Sequence, residues 1–143
     1  MSGKYDPNIH HRRSIRLDGY DYSQDGWYSV TMCAQNHACI FGNIGNDQMR
    51  LNNAGFMIRT WWRKVGGKFP SVQTDGYIIM PNHFHGIVNI SGAAPCGHDS
   101  KLGQPRGVAP TLGDIVNWFK TMTTNQYIRG VKQNGWLPFG GKL

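Results

Sequence analysis

The chain has no glutamate; all eight of its acidic residues are aspartates. Any mechanism that needs a Glu base or a Glu metal ligand is therefore excluded. Cysteine is scarce, and Cys33, Cys39 and Cys96 form an odd set without a CxxC pair. That excludes a cysteine-built zinc site and a disulfide framework. A reduced, cytoplasmic protein is the expectation. No stretch reaches the roughly 18 apolar residues of a membrane helix. The N-terminus is polar and has no apolar signal core, so a soluble protein with no membrane partner is expected. Internal repeats are absent as well.

What is present suits a folded domain. At 143 residues, 39% hydrophobic and 12% aromatic, the chain is long enough for one core of its own. Formal net charge is +7. Residues 1–26 hold four basic and four acidic side chains, whereas the chain from Trp27 onward holds eleven basic against four acidic. An excess on that scale points to a polyanion partner.

Residues 1–25 read as an irregular arm, with turns at Asp18-Gly19 and Asp25-Gly26, and residues 26–143 as the domain. Tyr28, Val30 and Met32 alternate with Ser29, Thr31 and Cys33, which predicts a strand over Trp27 to Ala34. A second strand is expected over about Cys39 to Ile44, followed by the turn Gly45-Asn46-Asp47. Asn52 or Asn53 can cap a helix whose stripe is Ala54, Met57, Ile58, Trp61 and Val65, ended by Gly66-Gly67. Strands are expected over Val72 to Met80 and His83 to Ile90, broken by Pro81-Asn82. Residues 91–110 are a Gly/Pro/Ala-rich connection. Thr111, with Asp114 near, can cap a last helix carrying Leu112, Ile115, Val116, Phe119 and Met122 and running to about Arg129. The order β-β-α-β-β-α predicts an α+β fold, a ferredoxin-like antiparallel sheet with helices on one face. Trp136, Leu137, Phe139 and Leu143 have no element left to bury them, so a further segment or another chain is expected to cover this end.

The sharpest chemical feature is His83-Phe84-His85. Side chains two apart on a strand share a face, so two imidazoles converge as a divalent metal requires, while Phe84 turns into the core. Two surface histidines on a half-exposed strand are the bland alternative. Third ligands can be sought among Asp75, Gln73, Asn82, Asn125, Gln126 and water; none has a spacing argument. Basic residues cluster on the first helix (Arg59, Arg63, Lys64, Lys68) and on the last (Lys120, Arg129, Lys132). Arg12, Arg13 and Arg16, with Tyr20 and Tyr22, can grip a strand by charge and stacking.

The run Tyr77-Ile-Ile-Met-Pro-Asn-His-Phe-His-Gly-Ile-Val resembles the HUH motif of single-tyrosine transposases, in particular the REP-associated tyrosine transposases. Arg16-Leu-Asp-Gly-Tyr-Asp-Tyr leading into Gly26-Trp-Tyr-Ser-Val-Thr-Met resembles the family's opening strand. Leu112-Gly-Asp-Ile-Val-Asn-Trp-Phe-Lys-Thr resembles its Phe-Lys helix. The resemblance covers roughly residues 12–143. It implies Mg²⁺ or Mn²⁺ held by His83 and His85 on a scissile phosphate of single-stranded or hairpin DNA. It also implies a tyrosine nucleophile, a 5′-phosphotyrosine intermediate, DNA transposition, and a monomer or homodimer.

Tyr127 is the only tyrosine after the histidines. In the family a polar ligand usually follows the nucleophile by four positions; here that position is Val131. Either Tyr127 is the nucleophile or, as for a C-terminally truncated member, the catalytic helix lies beyond residue 143. The competing class is a nucleic-acid-binding module without chemistry, which stacks bases on a sheet. A two-histidine phosphoesterase needs two His-x-Thr/Ser motifs, and the chain has no such pair.

Overall fold

Two periodicities in the sequence become two layers of structure. In the computed structural model, which describes residues 17–22, 24–91 and 110–138, strand-forming segments alternate buried and exposed side chains, and helical segments bury one stripe. The elements are β1 (Gly26–Cys33), a short 3-10 turn (Gln35–His37), β2 (Gly42–Gly45), β3 (Gln48–Leu51), α1 (Asn53–Lys68), β4 (Val72–Ile79), β5 (His83–Ile90) and α2 (Leu112–Asn134). The fold is α+β, as the residue pattern predicts. β5 lies at the centre of a three-stranded antiparallel sheet of order β1-β5-β4, and β2 pairs with β3 in a separate hairpin. Among the described residues no helix is long and apolar enough to cross a membrane.

Both helices pack on one face of the sheet. Trp62 of α1 meets Phe84 of β5 at 4.8 Å and Phe119 of α2 at 5.5 Å, and all three are buried. Val88 and Ile90 of β5, with Val65 of α1 and Ile115 of α2, complete this centre. Gly86 is required between them, because a Cβ there would strike the Trp62 ring.

The capping signals are realised. The Asn52 side chain accepts from Gly55 N at 3.0 Å, and Thr111 and Asp114 form a capping box.

Several expectations need correction. Cys39–Phe41 is a connection, not the start of a second strand, and residues 42–51 form a hairpin that includes an unforeseen β3. Asn46 and Asp47 turn it with φ of 51° and 57°, the left-handed pair that a two-residue hairpin turn requires. Gln48–Leu51 is too short and polar to announce itself as a strand. On α1 the inward tryptophan is Trp62, 1% exposed, and Trp61 is half-buried. The α2 stripe is Ile115, Phe119, Thr123 and Tyr127; the helix runs on to Asn134 and stops at Gly135, φ 67°. Trp136 is not without a partner: it folds back on Tyr127 and on the bare backbone of Gly130. Leu137 is exposed; Phe139 and Leu143 lie outside the described residues. Residues 17–22, the described part of the irregular arm together with Gln24 and Asp25, hold to the domain. Tyr22 O accepts from Leu112 N at 3.0 Å, and Tyr22 Oη accepts from Leu17 N at 2.8 Å, which ties residues 17–22 to the start of α2.

Candidate metal centre

The histidines owe their position to a tight turn. Pro81 and Asn82 link β4 to β5, with Met80 N donating to His83 O at 2.8 Å. Pro81 has no N–H to spend and its φ is already set for a turn. The connection after β1 is stapled to the same turn: Ala34 N donates to Asn82 O at 2.8 Å and Phe41 N donates to Pro81 O at 3.0 Å. Met80-Pro81-Asn82 therefore anchors two segments at the point where β5 begins.

From that anchor β5 alternates strictly. Phe84, Gly86, Val88 and Ile90 face the helices and are buried; His83, His85, Ile87 and Asn89 face the other way. His83 and His85 are half-buried, with ring centroids 4.8 Å apart and planes at 83°. Across the sheet His83 stands opposite Cys33, and His85 stands between Thr31 on β1 and Ile78 on β4.

Each imidazole already has a partner for Nδ1. Asn82 Oδ1 lies 2.6 Å from His83 Nδ1. An amide oxygen only accepts, so His83 carries its hydrogen on Nδ1 and presents Nε2 as the lone-pair nitrogen. Thr31 Oγ1 lies 2.7 Å from His85 Nδ1; a hydroxyl both donates and accepts, and when it accepts from Nδ1–H, Nε2 of His85 is likewise left for a ligand. Oriented imidazoles with a bonded second nitrogen are what a metal site uses.

The donor set fits a divalent metal only in part. Among the described residues no group of three His, Cys, Asp or Glu side chains lies close enough to hold an ion. Two imidazole nitrogens without a carboxylate suit Mn²⁺ better than Mg²⁺, and they leave most coordination positions to water and substrate oxygens. Of the third-ligand candidates, only Asn82 adjoins the pair, and its Oδ1 is engaged by His83. Gln73 pairs with Asn89 at the far end of β5, and Asp75 is exposed in the β4 irregularity. Asn125 is on α2, and Gln126 Oε1 accepts from Trp61 Nε1 in the helical layer.

Tyr127 is not brought to the histidines. It is 3% exposed on the α2 stripe, packs its ring on Trp136 and donates its hydroxyl to Leu137 O. It faces the core side of the sheet, opposite to the imidazoles. Burial also pushes its pKa up, which works against a phenolate nucleophile. No described tyrosine shares the histidine face: Tyr20 and Tyr22 ring-pack on buried Tyr28, and Tyr77 stacks on Phe84.

The basic residues are likewise in the helical layer. Arg59, Arg63, Lys64 and Lys68 lie on α1; Lys120, Arg129 and Lys132 lie on α2. Arg59 covers the Phe56 ring at 4.7 Å and Lys64 the Trp61 ring at 4.4 Å. Lys120 borders a cleft of about 430 Å³ that is lined by Met32, Phe41, Met57, Phe119 and Tyr127. Arg12, Arg13 and Arg16 lie outside the described residues, as do all of 1–16 and Ser23.

Two features of the histidine face escaped the sequence reading. Thr31 was visible as a polar strand residue, but only the register of β1 against β5 reveals it as the partner of His85. Trp27 marks only the start of a strand in the sequence, yet it stands on the same open face.

No family profile matches the chain, and no solved structure matches it. It is 40% identical over 131 residues to an uncharacterized protein of Haemophilus influenzae, an alignment spanning 87% of this chain and 73% of that protein. The chain belongs to the same family as that Haemophilus protein.

Proposed function

We propose that the chain is a transposase-like, cytoplasmic DNA-processing protein whose His83–His85 pair holds Mn²⁺ or Mg²⁺ on a phosphate of single-stranded or hairpin DNA. The observation that carries this reading is the double orientation of the pair, with Nδ1 of each ring engaged and Nε2 left for a ligand. Bound there, a divalent cation would draw charge from a phosphate oxygen. The residues of the chain do the positioning: Asn82 and Thr31 fix the rings, and the stapled Pro81 turn fixes the strand end. Cys33 and Cys39 are both free and exposed, in keeping with a reducing compartment.

Strand transfer in this scheme uses a tyrosine. Its oxygen bonds to phosphorus, the P–O3′ bond breaks, the phenolic proton passes to solvent and the departing oxygen takes one up as the 3′-OH. The nucleophile has to reach the histidine face, and the position of Tyr127 argues for a different tyrosine.

Titration of the protein with Mn²⁺, followed calorimetrically, tests the metal reading. Binding that disappears in His83→Ala and in His85→Ala supports it; a wild-type chain that takes up no Mn²⁺ sinks it. Incubation with hairpin-bearing single-stranded DNA and Mn²⁺, read as a covalent adduct on a denaturing gel, tests the chemistry. Tyr127→Phe is expected to leave any adduct unchanged. The competing reading, metal-free binding, is favoured by the separation of the basic helices from the histidines. It predicts DNA affinity that is indifferent to both Mn²⁺ and His83→Ala.

A further inference from the structure

The open face of the sheet carries a second row of functional side chains away from the histidines. In the strand register Trp27 of β1 stands opposite Asn89 of β5, and Asn89 stands opposite Gln73 of β4. All three residues belong to the face that the helices leave uncovered. Trp27 is 60% exposed, whereas Trp62 is buried and Trp61 packs edge-on against Trp118 at 5.7 Å. No described ring covers Trp27. The row is four residues along β5 from His85, about 13 Å at strand spacing. Ser29 and Ile87 fill the interval.

We propose that Trp27, Asn89 and Gln73 form a subsite for an unpaired nucleobase, with a preference for adenine, on the strand whose phosphate the histidines hold. The indole supplies a stacking platform of the kind that single-strand binders use. The two carboxamides beside it each offer an N–H donor and a C=O acceptor, the pairing that meets adenine N6 and N7. The exposed apolar residues of this face, Trp27, Ile78 and Ile87, are separated by Ser29, Thr31, Asn89 and the histidines. Such a mixed surface suits a base and a sugar-phosphate chain better than a protein partner, whose interface core is apolar. The subsite rests on the reading that this face meets a single strand, but it needs no metal.

The test uses the full chain in EDTA, with fluorescein-labelled dA and dT oligonucleotides followed by anisotropy. Tighter binding of dA than dT is expected in the wild type. Trp27→Ala should weaken dA binding about 5- to 150-fold, and Trp27→Phe should retain most of it. Asn89→Val and, on an edge strand where folding is less at stake, Gln73→Ala should each erase the preference for dA while leaving dT binding in place. Unchanged affinity in a folded Trp27→Ala variant overturns the proposal, as does a dA/dT ratio untouched in Gln73→Ala. EDTA strips any divalent metal, so the assay reads base recognition without a metal on the histidine pair. Failure of the metal reading therefore shows only in the Mn²⁺ titration, and failure of the base subsite shows only here.

Discussion

On β5, neighbouring residues live in two different environments. Phe84 is 1% exposed between Trp62 and Phe119, and Val88 and Ile90 are wholly buried. Their neighbours His83, His85 and Asn89 stand half-buried on the open face, among polar side chains and the exposed Trp27, Ile78 and Ile87. The buried face provides cohesion, and the open face inherits its rigidity: imidazoles keep their spacing because the backbone beneath them cannot shift without disturbing a packed aromatic cluster.

The largest effect should come from the buried face. Phe84→Ala removes a ring from the centre of that cluster and is expected to cost about 3–5 kcal/mol in urea denaturation. A loss below about 1 kcal/mol would mean that the two faces are not energetically distinct. His85→Ala, one position away, should change stability by less than about 1 kcal/mol while abolishing Mn²⁺ binding. Equal destabilisation by both variants would remove the division of roles between the faces.

Thr31→Val sharpens the open face itself. Valine keeps the strand preference and the volume but gives His85 Nδ1 no partner, and Mn²⁺ affinity should fall about 10- to 100-fold with little change in melting temperature. Unaltered affinity would show that His85 orients itself without Thr31.

The histidine pair, the Phe84 direction, both helix caps and the α+β class were legible because each follows from local spacing: period two, period 3.6, or a capping residue at a fixed offset. What was not legible depends on register. Nothing in the order of residues says that Thr31 meets His85 or that Trp27 meets Asn89; those pairs exist only once β1 lies beside β5. Trp61 and Trp62 are adjacent, so a stripe drawn at helical spacing can select either, and only the position of Phe119 on α2 decides for Trp62. Tyr127 was readable both as nucleophile and as packing residue, and its burial depends on Trp136 returning over Gly130.

Tyr127→Phe tests that last point with a smaller effect. The ring and its packing stay, but the hydrogen bond to Leu137 O is lost, which should cost about 1 kcal/mol. Wild-type Mn²⁺ affinity should be retained, because the phenol lies on the face opposite to the imidazoles. A variant of unchanged stability but altered metal binding would reverse the placement of Tyr127.

The smallest effect belongs to Tyr28, at the end of β1 remote from the histidines. Its hydroxyl donates to Gln24 O at 2.7 Å, and burial, then Tyr20, then the charges of Asp21 and Asp25 push its pKa from 10.0 up to about 12. Below pH 10 the phenol is neutral in both folded and unfolded chains, and its contribution to stability is fully present. Between pH 10 and about 12 the unfolded chain ionises Tyr28 while the folded chain keeps the proton, so stability falls as pH rises through this window. Urea midpoints collected across that range should fall more steeply for the wild type than for Tyr28→Phe, with Tyr127 contributing a residual slope of the same sign in both. At neutral pH the variant should bind Mn²⁺ like the wild type, since Tyr28 pairs with Val88 on the core side of the sheet and touches neither imidazole. Parallel slopes for the two proteins would show that Tyr28 ionises as freely in the folded chain as in the unfolded one. The buried end of β1 would then be open to water in a way that the Phe84 end is not.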